Sequence, residues 1–433
     1  MNDDAIVIRM ALETASRFPW YAKLLNERPE PEGSRLPPLL TARRLEPYYE
    51  SAPRGLAAGV SLNAYSTSGT SSGRRKTIYY SPEDERQYIE IKARMFAEWL
   101  AGGASSVNGE DSGHPARHGN GIEGGESRPF RKVLSDMGTG HAAATAPEVF
   151  ESIGLACESL SFELPIVEHL KKLEALRPDV LYTMPSILDR ILAAAGDASR
   201  FGIRRIILVG EIAPPAWQRK IAARFGIRET DILDTCGSIE IGTIAGYDHS
   251  VGRYVLAEGL TAECVSAEEL GENFDPLPPD EKVLVLTSEV REAFPAVRYV
   301  TYDVVRDFRT MTVRGVQRQT FAGIVKRIGP ELKHGEKISL YDIEEAVLLH
   351  ADDADIRVEV NGRKLSVRLR SAKLTAEKLP AVRQSIEEKI PAIGAMIRGG
   401  LLDAIEVALE LVAGSGPAQK GIKTRKIHYG ETE

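Results

Sequence analysis

Apolar residues recur at helical spacing from Ala5 to Leu25, a period that predicts an amphipathic helix near the start of the chain. Pro29, Pro31, Pro37 and Pro38 then mark an extended connection. The run TIYY, ending at Tyr80, reads as a strand. Ser81, followed by Pro82 and acidic residues, opens a second helix that continues to Ala101. Three later stretches, beginning at Lys132, Pro178 and Arg204, repeat one grammar of apolar strand, Gly or Pro turn, and helix, and a further helix is predicted over Pro165 to Ala175. Strands alternating with helices imply a parallel sheet, with ligands bound at the loops that follow the strands. From Tyr254 to Arg298 short strands separated by acidic and proline turns read as antiparallel. The last hundred or so residues form a compact α/β pattern. It comprises the strand DIRVEV, an Asn361-Gly362 hairpin signal, the strand KLSVRLR, a helix within Ala376 to Ile390 and the strand AIEVALELV.

At 433 residues the chain exceeds one ordinary core, so at least two domains are expected. A formal net charge of −7 argues against general nucleic-acid binding. Cys157, Cys236 and Cys264 stand far apart, which suggests neither a disulfide framework nor a structural zinc site and fits a reducing cytoplasm. The first residues lack a basic and then apolar leader, and no apolar run approaches the roughly 20 residues a membrane helix needs, so a cytoplasmic protein with no membrane partner is expected. Gly102 to Gly125 has no hydrophobic period, and its His114 and His118 read as solvated.

The candidate chemistry begins in AYSTSGTSSGRRKTIYY, Ala64 to Tyr80. Ser68, Thr70, Ser71 and Ser72 surround Gly69 and Gly73, and Arg74, Arg75 and Lys76 follow. Glycine lets backbone amides face an anion, hydroxyls donate to phosphate oxygens, and the basic triplet adds charge. The alternative is a flexible surface loop with a basic edge.

This stretch resembles the Ser/Thr/Gly-rich phosphate loop of the adenylate-forming superfamily of acyl-CoA synthetases, peptide-synthetase adenylation domains and luciferases. The likeness is greatest to phenylacetate-CoA ligase and coenzyme F390 synthetase-like proteins. RPDVLYTMPSIL, GEIAPP, DTCGSIE and FPAVRYVTYDVV resemble further family segments in the family's order. The resemblance implies a mixed α/β fold, with a large nucleotide- and acid-binding domain over residues 1–325 and a small mobile lid over residues 326–433. It places Gly210 and Glu211 beside the nucleotide base and Glu240 on Mg²⁺, a hard oxygen ligand beside phosphate. It places Cys236, Gly237 and Ser238 along ATP, Asp303 on the ribose hydroxyls, His141 and Tyr182 in the acid pocket, Lys326 at the hinge and Lys423 on the α-phosphate, with Lys426 the runner-up. Cys236 stands where an aromatic residue is usual, Ile239 where a hydroxyl is usual and Tyr302 where glycine is usual. The implied reaction converts a small, aryl carboxylic acid to an acyl adenylate with release of pyrophosphate and then transfers it to the thiol of CoA. The implied cofactors are ATP, Mg²⁺ and CoA, and a homodimer is common among relatives. A carrier protein or an amine as acceptor, or a degenerate binding-only member, are the competing readings.

Overall fold

The computed structural model describes residues 3–26, 35–50, 61–66, 76–102, 129–137, 140–271, 274, 276–328, 340–361, 364–390, 393, 397, 403, 405–410 and 427–429. The first helical stretch is two helices, α1 (Asp3–Arg17) and α2 (Pro19–Leu25), because Pro19 cannot donate a backbone N–H in mid-helix and instead opens α2. A short helix α3 (Glu46–Glu50), the hairpin β1 (Asn63–Ser66) and β2 (Thr77–Tyr80), and the long helix α4 (Pro82–Gly102) follow. The entry to α4 is a reciprocal cap: Ser81 Oγ accepts from the Asp84 backbone N–H at 3.1 Å while Asp84 Oδ2 accepts from that of Ser81 at 3.0 Å.

The predicted strand-helix alternation is then realised. Its elements are β3 (Lys132–Ser135), α5 (His141–Ser152), β4 (Ala156–Ser159), α6 (Ile166–Leu176), β5 (Val180–Thr183), α7 (Pro185–Ala195), β6 (Arg205–Leu208), α8 (Pro215–Phe225) and β7 (Ile232–Ser238). Strands β5 and β6 are buried throughout, as a sheet covered on both faces requires. An antiparallel region follows: β8 (Gly242–Asp248), β9 (Arg253–Leu256), β10 (Leu260–Val265), β11 (Glu281–Ser288), β12 (Tyr299–Arg306), β13 (Arg309–Val313), β14 (Val316–Phe321) and β15 (Gly323–Arg327).

One nine-stranded sheet runs β13-β14-β9-β8-β7-β6-β5-β3-β4, parallel from β7 to β4 and antiparallel beyond, while β10-β11-β12-β15 make a separate four-stranded sheet. The C-terminal elements are α9 (Leu340–Leu348), β16 (Asp355–Asn361), β17 (Lys364–Arg370), α10 (Leu379–Lys389), β18 (Glu406–Leu409) and β19 (Ile427–Tyr429). Their sheet has the order β18-β17-β16-β19. One apolar core joins the parallel strands and α4–α8 to the C-terminal elements through Ile343, Ala346 and Val347. A second lies under α1, α2 and β8–β12, and a third inside the four-stranded sheet. The fold is mixed α/β. Among the described residues, no helix is long and apolar enough to cross a membrane.

Candidate active site

The candidate phosphate loop joins the two strands of a hairpin, with Ser66 paired to Thr77 across it. Ser68, Gly69, Thr70, Ser71, Ser72 and Gly73 lie outside the described residues, as do Lys423 and Lys426. What the structure describes is the frame beside that hairpin.

At its centre is the turn between β7 and β8, which carries Glu240. Gly237 is obligatory there, since a Cβ at this position would sit 2.5 Å from the carbonyl oxygen of Gly242. Ser238 Oγ accepts from the Ile241 backbone N–H at 3.3 Å and closes the turn. The Glu240 carbonyl accepts from Arg291 Nε at 2.9 Å. The same guanidinium donates to the Tyr79 carbonyl at 3.1 Å, pairs with Asp84 Oδ2 at 2.5 Å and lies 3.8 Å from the Tyr80 ring centroid. Arg291 and Asp84 are both buried, so this ion pair fastens the β7–β8 turn, β2 and the start of α4 to one another. The half-buried Glu240 carboxylate makes no hydrogen bond or ion pair among the described residues, which suits a hard cation that arrives with phosphate. No group of three or more His, Cys, Asp or Glu side chains able to hold a metal by themselves occurs among the described residues.

Asp303, on β12, sits opposite Arg327 of β15, with Oδ1 3.7 Å from Arg327 Nε. The residue before it, Tyr302, takes φ +62°, a left-handed conformation that accounts for glycine being usual there. Its hydroxyl accepts from the Ala42 backbone N–H at 2.9 Å, which offsets the strain. The charges of Glu240 and Asp303 both act on the Tyr299 phenol, and Asp303 also acts on the Cys236 thiol, so the three candidate residues share one neighbourhood. Burial pushes the Cys236 thiol well up, and its Sγ lies 3.7 Å from the Ala245 carbonyl. A thiol so raised is poorly suited to act as a nucleophile.

Glu211 is used differently. Its carboxylate accepts from the Ser186 backbone N–H at 2.8 Å and from the Ser186 hydroxyl at 2.9 Å, capping the first turn of α7. The preceding Gly210 takes φ +82° at the end of the β6 strand. Lys326 lies within β15, opposite Val304, with Nζ 3.6 Å from Glu281.

His141 and Tyr182 enter a cluster built on α4. His141 Nε2 lies 2.6 Å from Glu85 Oε2, and its ring packs 4.2 Å from both Tyr80 and Tyr88. Burial lowers the imidazole pKa against the opposing pull of Glu85, and because the carboxylate can only accept, Nε2 donates to it. Asn63 and Tyr65 also donate to Glu85, at 3.0 and 2.8 Å. The Tyr80 hydroxyl donates to the Ile239 carbonyl at 2.8 Å and so ties this cluster to the Glu240 turn. Tyr182 is 1% exposed, and its hydroxyl accepts from Lys92 at 3.0 Å.

Four residues escaped the sequence reading: Asp84, Lys92, Asp234 and Arg291. The positions 84, 88, 92 and 96 step by four along α4 and are all buried, a stripe that the sequence does contain. Asp234 accepts from the Tyr254 hydroxyl, and burial pushes its carboxyl up to about 8, so it is protonated at neutral pH.

Residues 333–412 match the family described as the fumarate–diaminopropanoate ligase C-terminal domain. Over 397 residues the chain is 34% identical to fumarate–(S)-2,3-diaminopropanoate ligase of Enterobacter agglomerans, spanning 91% of this chain and 92% of that protein. The chain belongs to the adenylate-forming ligases. Its fold matches 2-hydroxyisobutyryl-CoA ligase in the postadenylation state with 2-HIB-AMP, at a TM-score of 0.69 and 15% identity over 99% of this chain and 89% of that one. An open conformation of the same enzyme with 2-HIB-AMP and CoA gives 0.59 at 14% identity, over 98% and 91%. A ligase of this kind spends ATP to join an acid to an acceptor through an acyl adenylate.

Proposed function

We propose that this ligase activates a small dicarboxylic acid of the fumarate type and passes the acyl group to the amine of an amino acid. The match along nearly the whole length of the fumarate–diaminopropanoate ligase carries this reading. A substrate carboxylate oxygen attacks the α-phosphorus of ATP, and pyrophosphate leaves with the bonding pair; Glu240 would hold Mg²⁺, which would neutralise the charge on the leaving phosphates. The amine then attacks the acyl carbon, AMP leaves with the C–O bonding pair, and the new amide gives up a proton to water.

Catalysis in the first step is positioning and charge neutralisation. In this reading the hydroxyls and amides of Ser68, Gly69, Thr70, Ser71, Ser72 and Gly73 hold the leaving phosphates, and Glu240 faces Mg²⁺. Asp303 receives the ribose hydroxyls, while Gly210, Glu211, Cys236, Gly237 and Ser238 line the nucleotide, Glu211 through its backbone because its carboxylate caps α7. Lys423 neutralises the α-phosphate, and the small unit turns about Lys326 between the two steps. A cytoplasmic setting goes with this reading, since ATP is the substrate and all three cysteines are free.

The test is pyrophosphate release with ATP and Mg²⁺ across fumarate, aryl and aliphatic acids, each with 2,3-diaminopropanoate, with CoA or with neither. Release that needs the dicarboxylate, with an amide found by mass, is expected. An aryl-CoA thioester would restore the phenylacetate-CoA ligase-like reading, and an acyl adenylate that reacts with neither acceptor would turn the search to a carrier protein. Silence with every acid would leave a binding-only member.

A further inference from the structure

Lys92 is 4% exposed, on the buried face of α4. Its ammonium donates to the Tyr88 hydroxyl at 2.5 Å and the Tyr182 hydroxyl at 3.0 Å, and lies 4.6 and 5.5 Å from the centroids of the same two rings. An ammonium has three protons to donate, and the third meets no acceptor among the described residues. No carboxylate pairs with it there either. Burial raises the pKa of both phenols, so they stay neutral and supply no counter-charge. A buried cation held only by neutral oxygens is costly to keep unless an anion completes its shell.

The position of that anion follows from the cluster around it. From the Glu240 turn, Tyr80 bonds the Ile239 carbonyl, His141 packs on Tyr80 and Tyr88, and Tyr88 bonds Lys92. Lys92 therefore stands at the far end of the cluster from the Glu240 turn. Glu85 acts on the His141 ring more strongly than Lys92 or Arg291 does, and Arg291 is already paired with Asp84, so Lys92 is the cation of this cluster with no carboxylate beside it among the described residues.

We propose that Lys92, braced by Tyr88 and Tyr182, receives the second, unreacted carboxylate of the acid substrate and so selects dicarboxylic over monocarboxylic acids. The inference rests on the proposed acid-activating function and adds the residue that reads its substrate. The acid lies along His141, one carboxylate toward the Glu240 turn and the other on the Lys92 ammonium.

The experiment compares fumarate with crotonate, in which a methyl replaces the second carboxylate, by pyrophosphate release in the wild type and in Lys92→Met. The wild type should prefer fumarate by about 100-fold in kcat/KM. Lys92→Met should lose about 100-fold on fumarate, mostly through KM, while crotonate changes by no more than about threefold. A variant that keeps the wild-type preference overturns the assignment, because a lysine buried for structure alone would leave selectivity untouched. Crotonate turnover and thermal unfolding show whether Lys92→Met is folded. Should it not fold, Tyr182→Phe takes its place, with the fumarate preference expected to fall about threefold or more and an unchanged preference again overturning the assignment. Wild-type turnover of monocarboxylic acids alone would instead sink the proposed substrate class, and Lys92 with it. Turnover of fumarate with a preference indifferent to residues 92 and 182 sinks Lys92 only.

Discussion

Asp234 shows how a single side chain sets a property of the whole protein. Its carboxyl is 2% exposed and pushed up to about 8 by burial, against about 3.9 in an unfolded chain. Between these values the folded protein holds a proton that the unfolded chain has released, so the contribution of this residue to stability falls as pH rises from about 4 to about 8. Asp234→Asn removes that titration. Relative to wild type, the variant should gain roughly 1 to 3 kcal/mol on going from pH 5.5 to pH 8.5 in denaturant titrations. An equal difference between the two proteins at both pH values would mean that Asp234 is ionised in the fold. Glu240 and Asp303 could be found in the sequence because each sits inside a short recognisable segment. Asp234 could not, because its partner Tyr254 lies twenty residues on in another strand, and the pairing of Lys92 could not, because one of its two partners, Tyr182, lies ninety residues away.

At the level of elements, α4 organises the site. Its first turn is capped by Ser81, pinned by Arg291 and carries Glu85, its second carries Tyr88, and its third carries Lys92. The cap and the buried stripe were legible, since both are local patterns. The partner of Asp84 was not, because Arg291 lies more than two hundred residues further on in a stretch whose acidic and proline turns conceal it. Arg291→Met should destabilise the protein by about 3 to 5 kcal/mol, because it leaves Asp84 buried with its charge unpaired. Combining it with Asp84→Asn should recover part of that loss, a coupling that a double-mutant cycle by denaturant unfolding measures. Additive losses would show that the two charges do not depend on each other. Prediction also missed the break at Pro19, where the apolar period continues past a residue that the backbone cannot continue through.

At the scale of the whole molecule, a shared core and a set of ion pairs join the C-terminal elements to the rest. The strand-helix alternation made the parallel sheet readable, and the Asn361-Gly362 signal made the β16–β17 hairpin readable. The parallel pairing of β19 with β16 was not readable, since its two strands are separated by most of the C-terminal unit. That unit rests on the larger one through apolar contacts on α8. Lys220 also reaches Asp355 at 2.6 Å and the Ala354 carbonyl at 2.9 Å, while Arg306 holds Asp342 at 3.1 and 3.2 Å. Lys326, the proposed hinge, is the last residue but one of β15. Asp355→Asn should destabilise the protein by about 1 kcal/mol in denaturant unfolding, because it removes the carboxylate partner of the buried Lys220 ammonium. An unchanged stability would show that the apolar contacts alone hold the C-terminal elements in place. These pairs also expose the protein to its ionic surroundings. Dissolved salt screens charges over about 8 to 10 Å at the strength of a cell interior and leaves apolar contact untouched. A cell that concentrates ions under osmotic stress would thereby weaken the pairs of Lys220 and Arg306 and leave the apolar contacts to hold the C-terminal elements, without altering a residue of the candidate site.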